Sequence, residues 1–140
     1  MFKTISAALV LVTQASSVLA ATPYPVYPTE IQYIRYEIAL EKFFSLPNIA
    51  ADAGKYFRTS DSQRRYDGKA LCSMLTAYST EEYLTSELER HGLLYENDPQ
   101  RLRNENAYTL GVAAAAIDTM CTDKRASLMD FVQKYQQNQR

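Results

Sequence analysis

Two cysteines, Cys72 and Cys121, stand 49 positions apart behind an apolar leader. That combination limits the fold more than any other feature of the chain. Lys3 gives the leader a positive start, Ile5 to Val12 are mostly apolar, and Val18-Leu19-Ala20 place small or aliphatic residues where a signal peptidase cuts. Thr13, Gln14, Ser16 and Ser17 interrupt the apolar run, which leaves it short of the roughly 20 residues that span a bilayer. Residues 1–20 are therefore expected to be a signal peptide, cleaved after Ala20 or the neighbouring Ala21. An uncleaved anchor is the competing reading. Export, to a periplasm or to the outside, means an oxidising compartment, where Cys72 and Cys121 are expected to form a disulfide. With no Cys-x-x-Cys spacing, a redox-active pair is not expected.

Behind the leader lie about 120 residues, enough for one core. The formal charge is −1, and loss of Lys3 with the leader would make it −2. Nucleic acid is thus not an expected partner, because phosphate binding needs a concentrated basic face. The Arg64-Arg65 and Arg101/Arg103 clusters read as solvated helix faces. Eleven tyrosines and no tryptophan suit a small core with a wet rim, since the ring packs while the hydroxyl finds water.

Residues 21–28, Ala-Thr-Pro-Tyr-Pro-Val-Tyr-Pro, alternate proline with bulky side chains and predict an extended arm. The arm is either a spacer docked on its own domain or a strap for a partner. From residue 29 to 135 the periodicity is helical throughout and predicts a single all-α domain, a compact bundle of about five helices. Thr29-Glu30-Ile31-Gln32 is a capping box that opens a helix running to about Leu46. At about 100° per residue, Tyr33, Tyr36, Leu40, Phe43 and Phe44 share one side, whereas Ile31, Ile34 and Ile38 share the other. Such a two-sided helix is either sandwiched between neighbours, the economical reading, or offers one stripe to another molecule.

A loop with Pro47, Asn48 and Gly54 is expected next, then a second helix from Ser60 or Asp61 carrying Tyr66, Ala70, Leu71, Met74, Leu75 and Tyr78. Gly68 lies inside that pattern at a cost of about 1 kcal/mol relative to alanine, which points to close packing. Ser79-Thr80-Glu81-Glu82 opens a third helix, and His91-Gly92 is expected to end it with glycine in the left-handed cap. Asp98-Pro99 opens a fourth, with Gly111 and Ala113–Ala116 allowing close helix approach. A fifth runs from about Asp123 through Leu128, Phe131, Val132 and Tyr135, ahead of a polar tail at 136–140. The disulfide would join the second helix to the end of the fourth, and a loop of this length is worth about 4 kcal/mol.

Catalytic patterns are sparse. His91 is the single histidine and reads as a last-turn residue beside the helix carbonyls. Glu87 and His91 are one turn apart, but no further histidine or cysteine pair completes a metal site, so neither metal nor cofactor is expected. The pairs Glu81/Glu82, Glu87/Glu89 and Glu96/Asp98 read as capping and solvation. Nucleophile elbows, phosphate loops and EF-hands do not occur in the sequence. The chain points away from an enzyme, with a small hydrolase as the remote alternative.

Gly68-Lys69-Ala70-Leu71-Cys72, followed by Ala113 to Cys121, resembles small exported bacterial helical domains of unknown function. The segment Cys121 to Leu128 is similar to the stretch after the second cysteine of HdeA-type periplasmic acid-stress chaperones. The likeness covers residues 66–132 at most and implies an all-helical domain with Cys72 and Cys121 as disulfide partners. The chain departs from those chaperones in its extra first helix, its proline-rich arm and its lysine-poor tail. The leading expectation is a small exported, non-enzymatic binding module whose partner is a protein or a small apolar ligand. Its candidate surface is Ile31, Ile34 and Ile38 with Tyr24 and Tyr27 of the arm. The alternative is an acid-activated chaperone, in which protonation of 16 acidic side chains would loosen a homodimer.

Overall fold

A computed structural model describes residues 22–139, and the expected signal peptide lies outside them. The described chain is all-helical. Six α-helices follow in order: α1 (Glu30–Phe44), α2 (Gly54–Arg58), α3 (Asp61–Met74), α4 (Thr80–Leu94), α5 (Pro99–Thr119) and α6 (Arg125–Asn138). Single 3-10 turns at Ala50–Asp52 and Thr122–Lys124 precede α2 and α6. No helix among the described residues is long and apolar enough to cross a membrane.

Four helices start where a side chain meets an otherwise orphaned amide. Thr29, Ser60, Ser79 and Asp98 accept from the backbone N–H of Gln32, Gln63, Glu82 and Arg101 respectively. At α1 the capping box is complete, because the Gln32 amide oxygen accepts from the Thr29 N–H at 2.8 Å.

Helix α5 is the axis of the molecule and packs against each of the other five helices. Its small residues make this possible. Ala113 and Ala116 have no exposed surface, and Ala115 and Gly111 are buried among them. A Cβ on Gly111 would lie 2.7 Å from Phe44 Cε2 and 2.8 Å from Phe43 Cδ1. Glycine thus lets α1 come closer than any side chain would allow. The same holds at Gly68, where a Cβ would sit 2.7 Å from Cζ of the fully buried Tyr36. Tyr36, Leu40 and Phe44 supply the core side of α1, joined by Leu71, Leu75, Leu84, Ile117 and Phe131.

The disulfide joins Cys72, in α3, to Cys121, two residues beyond α5, with Cα atoms 5.8 Å apart. Five helices were expected and six are present, so the bridged elements are the third helix and the end of the fifth. The additional helix is α2, inside the expected loop. No capping side chain announces it. It is held instead by the Tyr56 ring stacked on Phe44 at 4.6 Å and by Arg64, which donates to the Tyr56 carbonyl at 3.0 Å. Arg64 is therefore a largely buried clamp rather than a solvated face. Helix α4 also departs from expectation. It continues through Gly92 to Leu94, and no described glycine has a positive φ, so Gly92 is not a left-handed cap. At the far end α6 runs through Asn138 and takes in most of the expected tail.

Candidate functional site

The outer face of α1 follows from its inner one. Burying Tyr36, Leu40 and Phe44 at a spacing of one turn turns the opposite face outward. Ile31, Ile34 and Ile38 are 62%, 47% and 49% exposed on that face. The sandwiched arrangement is thereby corrected: about half or more of each isoleucine is left open by the described chain. Beyond its C-terminal end, Ala39, Phe43, Leu46, Leu128 and Met129 line an almost wholly apolar groove of about 480 Å³ between α1, α5 and α6, with Lys42 and Arg125 at its rim. Leu46 and Met129 are also exposed. Groove and stripe lie on neighbouring sides of α1, with the exposed Arg35 and Lys42 between them. A bare patch of this kind marks a contact site more often than a solvated face.

The arm lies along α3. The Tyr24 N–H donates to Thr76 Oγ1 at 2.8 Å and the Val26 N–H to Ser73 Oγ at 3.1 Å, while Val26 packs on the core. Lys69 stands 5.0 Å from the centre of the Tyr27 ring. Two backbone donors of the arm are satisfied by hydroxyls of α3 and of the turn that follows it, so the arm is docked on its own domain. Tyr24 and Tyr27 remain exposed there, over α3 and not on the outer face of α1. The three isoleucines form one surface and the two tyrosines another.

A second concave feature was not legible in the sequence. Lys55, Asp67, Tyr83, Glu87, Arg90 and Tyr108 surround a cleft of about 170 Å³ between α2, α3, α4 and α5, with Leu71 and Val112 in its floor. Its charged groups face one another. The Tyr108 hydroxyl donates to Asp67 Oδ2 at 2.5 Å, Lys55 pairs with Glu105, and Arg90 pairs with Glu87 at 2.8 Å. His91 belongs to this wall. It sits in the last turn of α4 as expected, but it is 3% exposed and its Nδ1 lies 3.0 Å from Asn106 Oδ1, so it also links α4 to α5 from within the fold. Glu87 Oε2 lies 3.9 Å from His91 Nε2, and among the described residues no group of three or more histidine, cysteine or acidic side chains could hold a metal ion. Of these pairings, Lys55–Glu105 joins the short α2 to α5, Tyr108–Asp67 joins α5 to α3, and Arg90–Glu87 lies within α4.

Burial raises the Tyr36 hydroxyl above the ordinary tyrosine range, with the Asp67 charge adding to it. Burial, followed by the hydrogen bond to Asp67, does the same to Tyr108. Both groups are therefore held neutral in the fold. The stability this supplies is complete below about pH 10, where an unfolded tyrosine is still protonated, and is lost as pH rises beyond it. Part of the phenolate absorbance is expected to appear only together with loss of the helical circular-dichroism signal. Tyr36→Phe with Tyr108→Phe should shift that alkaline transition upward, at a cost of about 1 kcal/mol per lost hydrogen bond at neutral pH. An unchanged alkaline midpoint would remove this explanation.

Fold and surface together define a class: an all-helical bundle, closed by one disulfide, with an uncovered apolar helix face. No protein-family model matches this chain, and comparisons with curated proteins and with solved structures find no match either.

Proposed function

We propose that this protein is a small exported binding module that recognises an apolar partner through the outer face of α1 and works without chemical transformation. The observation that carries this reading is the exposure of Ile31, Ile34 and Ile38 on a helix whose other side is fully packed. Each buried CH₂ group of an isoleucine is worth about 0.8 kcal/mol, which gives a folded chain little reason to present three of them in register to water. The disulfide supports export, since such bonds persist in oxidising compartments. The internal pairing in the mixed-charge cleft supports placing recognition at α1 and not there.

The test is a photo-reactive residue placed at Ile34, with the exposed Glu82 of α4 as control, in the protein expressed in its own cell. Specific adducts at position 34 and none at position 82 are expected. Equal labelling at both positions, or none at either, would refute the assignment of the surface.

A further inference from the structure

The charges beside the isoleucine stripe say more about the partner. At about 100° per residue, Ile31, Ile34 and Ile38 fall within an arc of ~60°. Glu30, Glu37 and Glu41 follow along one edge of that arc, and Arg35 and Lys42 along the other. The face is therefore an apolar seam between an acidic rail and a basic one. Arg65 of α3 holds the acidic rail in place, reaching Glu30 at 3.0 Å through Nη1 and Glu37 at 3.0 Å through Nε. On the basic side, neither Arg35 nor Lys42 has an ion-pair partner among the described residues.

We propose that the partner is a second copy of this chain, with two α1 helices lying parallel, isoleucine on isoleucine. The inference rests on the reading of α1 as the recognition face. Two identical helices related by a two-fold axis along their length set the acidic edge of one against the basic edge of the other. Glu30 then faces Arg35 of the second copy, and Glu37 faces its Lys42, with both pairs repeated by symmetry. This is the spacing at which flanking charges pair across a parallel helical seam. An antiparallel arrangement sets acid against acid and base against base, which is repulsive. Only one face of α1 is free, because the rest is packed in its own bundle, so the seam holds two members. Glu41, next in register after Ile38, ends the apolar seam, because there the two copies would set one carboxylate against the other.

A seam of three isoleucines lies at the small end of stable interfaces, below about 1,200 Å² in total. The dimer is accordingly of micromolar strength, and salt weakens it because its rails are exposed. Sedimentation of the oxidised protein should show monomer at low concentration and dimer in the tens to hundreds of micromolar. Ile34→Glu should abolish the dimer while leaving the helical signal and melting temperature nearly unchanged, since the side chain is about half exposed on the outer face of α1. Arg35→Glu with Lys42→Glu should weaken it about tenfold or more. Ile31→Cys should cross-link to itself between copies, which the parallel arrangement requires. A protein that stays monomeric throughout that range overturns the proposal, as does an Ile34→Glu variant that dimerises like the parent. Cross-linking of Ile31→Cys only to an Ile38→Cys copy overturns the parallel arrangement. A monomer that still forms adducts of another mass at position 34 removes the dimer and keeps the binding module. A monomer with no adduct there removes both.

Discussion

Reduction of the Cys72–Cys121 bond, or its replacement by Cys72→Ala with Cys121→Ala, should lower the unfolding free energy by about 4 kcal/mol. The bond closes a loop spanning 49 positions, and in the chain-entropy account that constraint falls on the unfolded ensemble. For a domain of this size the loss corresponds to a fall in melting temperature on the order of 15 °C. It is a large part of the about 5–15 kcal/mol available to such a domain. Cys72 is 1% exposed among the core side chains, so the double alanine variant leaves no polar group unsatisfied there. A variant that melts within a few degrees of the parent would mean that the α5 contacts already hold those ends together in the unfolded chain.

Alanine in place of Gly111 or Gly68 should be costly, whereas the same change at Gly92 should be favourable. At Gly111 the new methyl meets two phenylalanine rings, and at Gly68 it meets the Tyr36 ring, itself anchored by its hydroxyl donating to the Arg64 carbonyl at 2.6 Å. Overpacking costs about 1–3 kcal/mol, against a helix-propensity gain of about 1 kcal/mol. Each variant should lose roughly 1–2 kcal/mol net. The two sites share no neighbouring side chain, so their effects should add. At Gly92 nothing lies within 4 Å of the added carbon and the residue sits inside α4. There alanine should gain about 0.5–1 kcal/mol. Chemical denaturation of the three single variants separates these signs. A loss at Gly92 would restore the left-handed cap suggested by the His91-Gly92 sequence.

That glycine shows where local sequence ceases to inform. The starts of α1, α3, α4 and α5 are legible because each depends on a side chain and an amide three residues later. Nothing beyond those few residues has to be known. Helix ends and short helices obey contacts between distant segments instead. Helix α2 exists because Tyr56 finds Phe44 and Arg64 finds the Tyr56 carbonyl, and α4 passes through Gly92 while His91 is held by Asn106 of α5. The same division applies to the surface. The spacing of Ile31, Ile34 and Ile38 places them on one face, but whether a neighbour covers that face depends on where α3, α5 and α6 pack. The mixed-charge cleft lies further still from sequence reading, because four helices contribute to its wall. The arm is an intermediate case. Its prolines announce extension, whereas its path is set by the hydroxyls of Ser73 and Thr76, some 47 and 52 positions away.

The helix that touches all the others comes fifth in the chain, and this has a consequence for the order in which the molecule can be made. A polypeptide emerges from its amino end first. When α1 is complete at Phe44, the glycine and alanines that receive Phe43 and Phe44 are still about 70 residues from synthesis, and the Ser73 and Thr76 hydroxyls that hold the arm are about 30 away. Each early helix has a face with nothing to lie against, and isolated helices of such length are marginal in water. The core closes only once residue 119 is free, and the bridge to Cys72 needs two residues more. For most of its synthesis this chain therefore lacks the segments against which its core is built, so the fold can close only near the end.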